Sequence, residues 1–215
     1  MRARSIRDVL RLWRDYNETD CTGRSEADAG NISFSRQVLW SYRMPIACYH
    51  LSPIAGRSGF VLVSSYSPSI TTSRHVSYAR RESEWPKFSV PQIGCSSGGY
   101  PSPEALREVH GFNVKYMLGE INTTANAATS SYRSEHNVTQ SWFVDYVATQ
   151  HANVAEYVYL TAAGIELPDL DDILNRMHAE RERKWLAYHD PKAMARRERS
   201  WARREAIKAL NLGDN

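Results

Sequence analysis

The chain has 215 residues, 42% of them hydrophobic, 24% charged and 11% aromatic, which excludes wholesale disorder and allows one or two folded domains. No stretch approaches the roughly 18 apolar residues of a membrane span and no secretory signal is read, so a cytoplasmic protein without membrane contact is expected. The formal net charge of +3 by itself favours no partner.

Ile6, Val9, Leu10 and Trp13 fall at helical spacing from Ser5 to about Tyr16, with Ser5 and Asp8 placed as a capping box. The polar stretch Asn17 to Gly30 reads as a loop. Between Ile32 and Tyr66 the texture turns β-branched and aromatic, predicting two or three strands, then a turn at Gly56 to Gly59 and a buried strand Phe60 to Val63. The last two strands are expected to form a hairpin packed on a helix. Hydroxyls at Thr71, Thr72 and Ser73 would cap a short helix from Arg74 to about Arg81.

Four prolines and three glycines make Glu84 to Pro103 an irregular loop or linker, and Ser102-Pro103-Glu104 then opens a helix. Asn122 to Gln140 reads as a loop, and Trp142 to Ala163 as an apolar central helix ended by Gly164. Pro168 and Asp169 open a last helical segment that Pro191 breaks in two. The fold class is therefore α+β, a small N-terminal antiparallel sheet with helices followed by a mainly helical C-terminal region. The expected division is an α+β domain over 1–83, a linker over 84–103, a helical region over 104–168 and a basic helical tail over 169–215.

Cys21, Cys48 and Cys95 are odd in number and form no CxxC pair, so free buried thiols are expected. The Asn-x-Ser/Thr sequons at Asn17, Asn31, Asn122 and Asn137 read as coincidences of a Ser/Thr-rich chain. Gly94-Cys95-Ser96-Ser97-Gly98 matches G-x-S-x-G formally, but Pro91 before it and Pro101 after it do not supply the strand and helix of a nucleophile elbow. The seven histidines include no H-E-x-x-H or H-x-H, and neither a metal nor a cofactor is expected.

Thr72, Ser73, Arg74 and His75 form the most chemical of the local clusters. Hydroxyls at a helix start beside an Arg and a His can hold a phosphate or other anion, with Arg74 as charge clamp and His75 as donor or acid/base. The same residues also read as a capped helix with a surface arginine. Trp40-Ser41-Tyr42-Arg43-Met44-Pro45-Ile46-Ala47, with Tyr66-Ser67 and Thr71-Thr72-Ser73-Arg74-His75, resembles a small domain of uncharacterised phage and bacterial proteins. The resemblance spans residues 32–82, departs by an insertion of Pro68 and Ser69, and implies a phage or mobile-element origin without assigning a reaction.

The C-terminal segment resolves the net charge. Residues 173–210 hold eleven basic against five acidic side chains, a net +6, so the rest of the chain nets −3. Arg181, Arg183, Lys184, Arg196, Arg197, Arg199, Arg203 and Arg204 are the candidates for contact with a phosphate backbone, while the interspersed acids equally describe a solvated helical face. Three functions follow as expectations: a non-enzymatic, phage-type protein binding nucleic acid or an acidic protein surface through this tail; a structural component docking on other virion or phage subunits; or an enzyme for a phosphorylated or nucleotide substrate at Thr72 to His75.

Overall fold

The computed structural model describes residues 3, 5–18, 26–95, 101–129 and 141–211. Six strands and six helices follow in the order α1 (Ile6–Glu18), β1 (Glu26–Ala29), β2 (Ile32–Ser35), β3 (Val38–Ser41), β4 (Met44–Leu51), β5 (Gly59–Ser64), α2 (Ile70–Glu82), β6 (Lys87–Val90), α3 (Pro103–Thr129), α4 (Ser141–Thr161), α5 (Leu170–His189) and α6 (Pro191–Asn211). The chain is α+β, with a mainly helical C-terminal region. It divides into two units, Met1–Glu120 with His151–Leu167, and Ile121–Gln150 with Pro168–Asn215. No helix among the described residues is long and apolar enough to cross a membrane.

The first unit is built on one sheet in sequence order, β1-β2-β3-β4-β5-β6. Its first four strands begin six residues apart, at Glu26, Ile32, Val38 and Met44, each separated from the next by a two-residue turn. Gly30, Arg36 and Tyr42 take the positive φ that such tight turns require at their first position. The predicted strands are thus present as β2 to β5, and β1 and β6 are additional to them. β1 lies where a loop was predicted, because the alternation of Ala27 and Ala29 with Glu26 and Asp28 is too weakly apolar to announce a strand. Cys21 falls outside the described residues.

β4 and β5 pair antiparallel, and both are buried on two faces. Ala47, Tyr49, Val61 and Val63 point to a core completed by Val9, Leu10 and Trp13 of α1 and by Val76 and Ala79 of α2. Successive strand residues alternate sides, so Cys48, His50, Phe60 and Leu62 face the other way. There Phe60 and Phe88 meet Tyr157 of α4, with ring centroids 6.3 and 5.0 Å away. Burial on both faces explains why β5 reads as an unbroken apolar run rather than an alternation.

The antiparallel expectation needs one correction. β6 pairs parallel with β5, from Val61 opposite Lys87 to Ser64 opposite Val90, so β5, α2 and β6 form a crossover unit whose last strand lies inside the predicted linker. Its four residues, Lys87 to Val90, are flanked by Pro86 and Pro91, which hid the strand in a proline-rich stretch. The thiol expectation is also corrected: Cys48 and Cys95 are both buried and joined in a disulfide that ties β4 to the segment after β6. Residues 122–129, predicted as loop, continue α3, while 130–140 lie outside the described residues. Gly59 marks a close approach, since a Cβ there would collide with the His50 carbonyl and the Trp85 ring.

Several helix starts behave as their sequence predicts. Asp8 N donates to Ser5 Oγ at 3.2 Å, Ala105 N to Ser102 Oγ at 3.3 Å, and Asp171 N to Asp169 Oδ1 at 2.7 Å. Pro191 separates α5 from α6, and Asp190 Oδ1 accepts from Ala193 N at 2.9 Å.

Tyr49 joins three parts of the first unit. Its ring lies 4.5 Å from Trp13 and 5.2 Å from Trp85, centroid to centroid, and its hydroxyl donates to Glu18 Oε1 at 2.5 Å. The same oxygen accepts from Ser83 Oγ at 2.6 Å and Glu84 N at 3.2 Å. Tyr49→Phe removes one charge-assisted bond from this hub and should cost about 1.5–3 kcal/mol in urea denaturation. Trp201→Ala removes a ring that is 69% exposed and should stay within about 0.5 kcal/mol. Equal effects of the two substitutions would contradict the assignment of the hub.

Candidate functional site

The Thr72 to His75 cluster begins α2, but the cap lies earlier than the hydroxyl run suggests. Ser69 is extended, and its Oγ accepts from Thr72 N at 3.1 Å. Thr71, Thr72 and Ser73 are the expected caps, and Ser69, directly after Pro68, takes the role instead. One turn of helix then separates the four candidate residues. Thr72 and His75 turn inward, where Ser41 Oγ of β3 lies 3.4 Å from Thr72 Oγ1 and 2.8 Å from His75 Nδ1. Burial lowers the His75 pKa, and the residue is only 3% exposed. Ser73 and Arg74 are exposed on the other side of the helix. The structure therefore brings Thr72 and His75 together with Ser41 as a buried link between α2 and β3, and does not bring Ser73 and Arg74 to it.

The basic candidates of the second unit separate in the same way. On α5, Arg181 is 7% exposed and burial lowers its pKa, although its Nε has no hydrogen-bond partner. Arg183 and Lys184 both reach Glu180, at 2.7 and 3.5 Å, and the paired guanidinium holds that carboxyl down at about 2. On α6, Arg197 lies 3.5 Å above the Tyr188 ring and donates to the Tyr188 carbonyl.

Arg196, Arg199 and Arg203 remain exposed, as does Lys192, and none of the four forms an ion pair among the described residues. At about 100° per residue these four fall within roughly 60° of arc, and at 1.5 Å rise they span about 16 Å. Glu198 and Glu205 project from the far side of the helix. The acids that looked interspersed in sequence are thus segregated from this stripe. Arg204 lies on the second side of α6, beside Trp201 and Met194, where these residues and Tyr188 line a hollow of about 570 Å³.

A buried polar network in the first unit has no sequence signal. His110 Nδ1 and the Tyr157 hydroxyl are 2.8 Å apart, and Asn113 Nδ2 donates to that hydroxyl at 3.1 Å and to the Gln92 carbonyl at 2.7 Å. His50 Nε2 donates to the Ile93 carbonyl at 2.8 Å, and its ring stacks on Phe60. Both histidines border a cavity of about 280 Å³, with exposed Arg107 among its lining residues. Burial pulls the pKa of each down to about 4. These groups come from positions as far apart as 50, 110 and 157, and only the fold assembles them.

The chain matches no family model, no curated protein and no solved structure in comparisons with each.

The neutral histidines have a consequence for stability. An unfolded histidine takes up a proton near pH 6.5 while folded His110 resists until about 4, so this group stabilises the fold above pH 6.5 and its contribution is lost as pH falls through that window. His110→Gln should therefore lose less stability between pH 7 and pH 5 than the wild-type chain, measured by urea denaturation at each pH. Parallel losses in the two proteins would exclude His110 as a source of acid sensitivity.

Proposed function

We propose that the chain is a non-enzymatic binding protein of phage type that contacts nucleic acid through α6. The observation that carries the reading is the stripe of Lys192, Arg196, Arg199 and Arg203, exposed and free of ion pairs among the described residues, with both α6 acids on the far side. Cations at a spacing of three and four along one helix meet successive phosphates of a backbone and release its condensed counterions. Such contacts give affinity without sequence readout. The resemblance over residues 32–82 is what supports the phage origin. Trp201 adds an exposed ring for base stacking where the nucleic acid is single-stranded.

The hollow lined by Tyr188, Met194 and Trp201 supports a second reading, docking on another phage or virion subunit. Aromatic and methionine side chains around a cation are common in protein interfaces, and this hollow is lined by Arg197, which stacks on Tyr188 of α5.

Generic DNA or RNA should bind with a steep salt dependence. About four phosphate contacts predict a loss of roughly 100-fold in affinity between 50 and 200 mM salt. The triple variant R196A/R199A/R203A should flatten the slope of log K against log salt by about one per arginine. An affinity indifferent to salt, or a triple variant with the wild-type slope, removes the nucleic-acid reading. Self-association seen by light scattering and abolished by Trp201→Ala would favour the docking reading instead.

A further inference from the structure

We propose that Cys48, His50 and Cys95 form a metal site for a thiophilic divalent cation of the zinc class, filled when both sulfurs are thiolates and closed when they are joined as the disulfide. The three ligating atoms lie within 4.8 Å of one another and all three residues are buried. Cys48 and His50 are two apart on β4, so the strand's period of two puts both on the face opposite Tyr49. Cys95 comes from the segment after β6 and meets Cys48 across the fold. This separation of 47 residues explains why no metal spacing is visible in the sequence.

The surroundings are those of a ligand set rather than of a covalent staple alone. His50 donates Nε2–H to the Ile93 carbonyl at 2.8 Å, which orients the ring. A backbone carbonyl holding the second ring nitrogen is how ligating histidines are oriented. Between Ile93 and Cys95, Gly94 takes φ +75°, and a Cβ there would stand 3.1 Å from His50 Cε1, so this glycine lets the Cys95 segment close on the imidazole.

Two thiolates neutralise a divalent ion, so the occupied site buries no net charge. Three protein ligands leave one of four tetrahedral positions for water or an exogenous ligand, and His50 borders the cavity of about 280 Å³ that can supply it. The two states exchange by defined chemistry. A dithiol reductant transfers two electrons and two protons to the Cys48–Cys95 bond, giving two thiols and leaving the reductant as a disulfide. Metal binding then forms two metal–sulfur bonds and one metal–nitrogen bond and releases both thiol protons to solvent. Cys95 lines a surface hollow of about 390 Å³, which gives the reductant its approach.

The test is cobalt(II) titration of the full chain, reduced with a dithiol that is then removed under anaerobic conditions. The reduced wild-type chain should take up about one equivalent with a thiolate-to-cobalt charge-transfer band, and the oxidised chain none. Cys48→Ser and Cys95→Ser should abolish the band, Cys21→Ser should keep it, and His50→Ala should weaken binding by at least about 10-fold. Because serine variants can fail to fold, X-ray absorption at the cobalt edge of the wild-type chain gives an independent reading and should show two sulfurs and an imidazole. Absence of the band in the reduced wild type, equal binding by the oxidised chain, persistence of the band in both serine variants, its loss in Cys21→Ser, or a shell of oxygen and nitrogen alone would each overturn the proposal.

Discussion

The double burial of β4 is the constraint on which the first unit depends. A strand with covered faces on both sides must supply two kinds of partner at once, and β4 does so by alternation. Ala47 and Tyr49 serve the layer of α1 and α2, while Cys48 and His50 serve the opposite layer. A slip of one residue in register would exchange the two sets, placing an imidazole against Trp13 and a phenol against Phe60. Tyr49 resists such a slip because its hydroxyl donates to the Glu18 carboxylate, which also gathers Ser83 and Glu84. One oxygen thus fixes the end of α1, the middle of β4 and the segment after α2 relative to one another.

The opposite face solves a harder problem, since it buries histidines. Each buried imidazole keeps a hydrogen bond in place of one lost from water. His50 uses the Ile93 carbonyl and His110 uses the Tyr157 hydroxyl, which Asn113 holds from the other side. Asn113 also closes a pair of bonds with the backbone of Gln92, one at 3.2 Å from Gln92 N and one at 2.7 Å to its carbonyl. The segment that carries Gln92, Ile93 and Cys95 is therefore held by polar contacts from α3 and β4 as well as by the disulfide. A stretch that reads as a linker is in this way part of the buried structure.

The features legible from sequence were those written in local patterns. The stripe Ile6, Val9, Leu10 and Trp13, the caps at Ser5, Ser102 and Asp169, the hairpin of β4 and β5, and the break at Pro191 all depend on residues close in the chain, and each is present. β6 was not legible because a parallel partner lies across a helical crossover and its four residues are enclosed by prolines. The Cys48–Cys95 pairing and the histidine network were not legible because their members meet only when β4, the segment after β6, α3 and α4 have packed. For the Thr72 to His75 cluster, residue types pointed to anion chemistry, but helical geometry divides them into a buried pair and an exposed pair.

The charge of α6 is best understood through the helix that carries it. Its seven basic and two acidic side chains bring like charges together at i, i+4, as with Lys192 and Arg196 or Arg199 and Arg203, and each such pair opposes the helix by about 0.2–0.5 kcal/mol. Most of its described residues are exposed, so little apolar burial offsets that repulsion. The Asp190 cap, the stacking of Arg197 on Tyr188 and the Lys208–Glu205 pair act at its ends and along its second side. None of them neutralises the stripe of Lys192, Arg196, Arg199 and Arg203. A polyanion laid along that stripe would replace repulsion by attraction in the same residues, so under the proposed function the feature that weakens the helix alone would be the one that favours binding. A small net charge, divided unevenly along the chain, thus leaves one stripe of one helix without compensation.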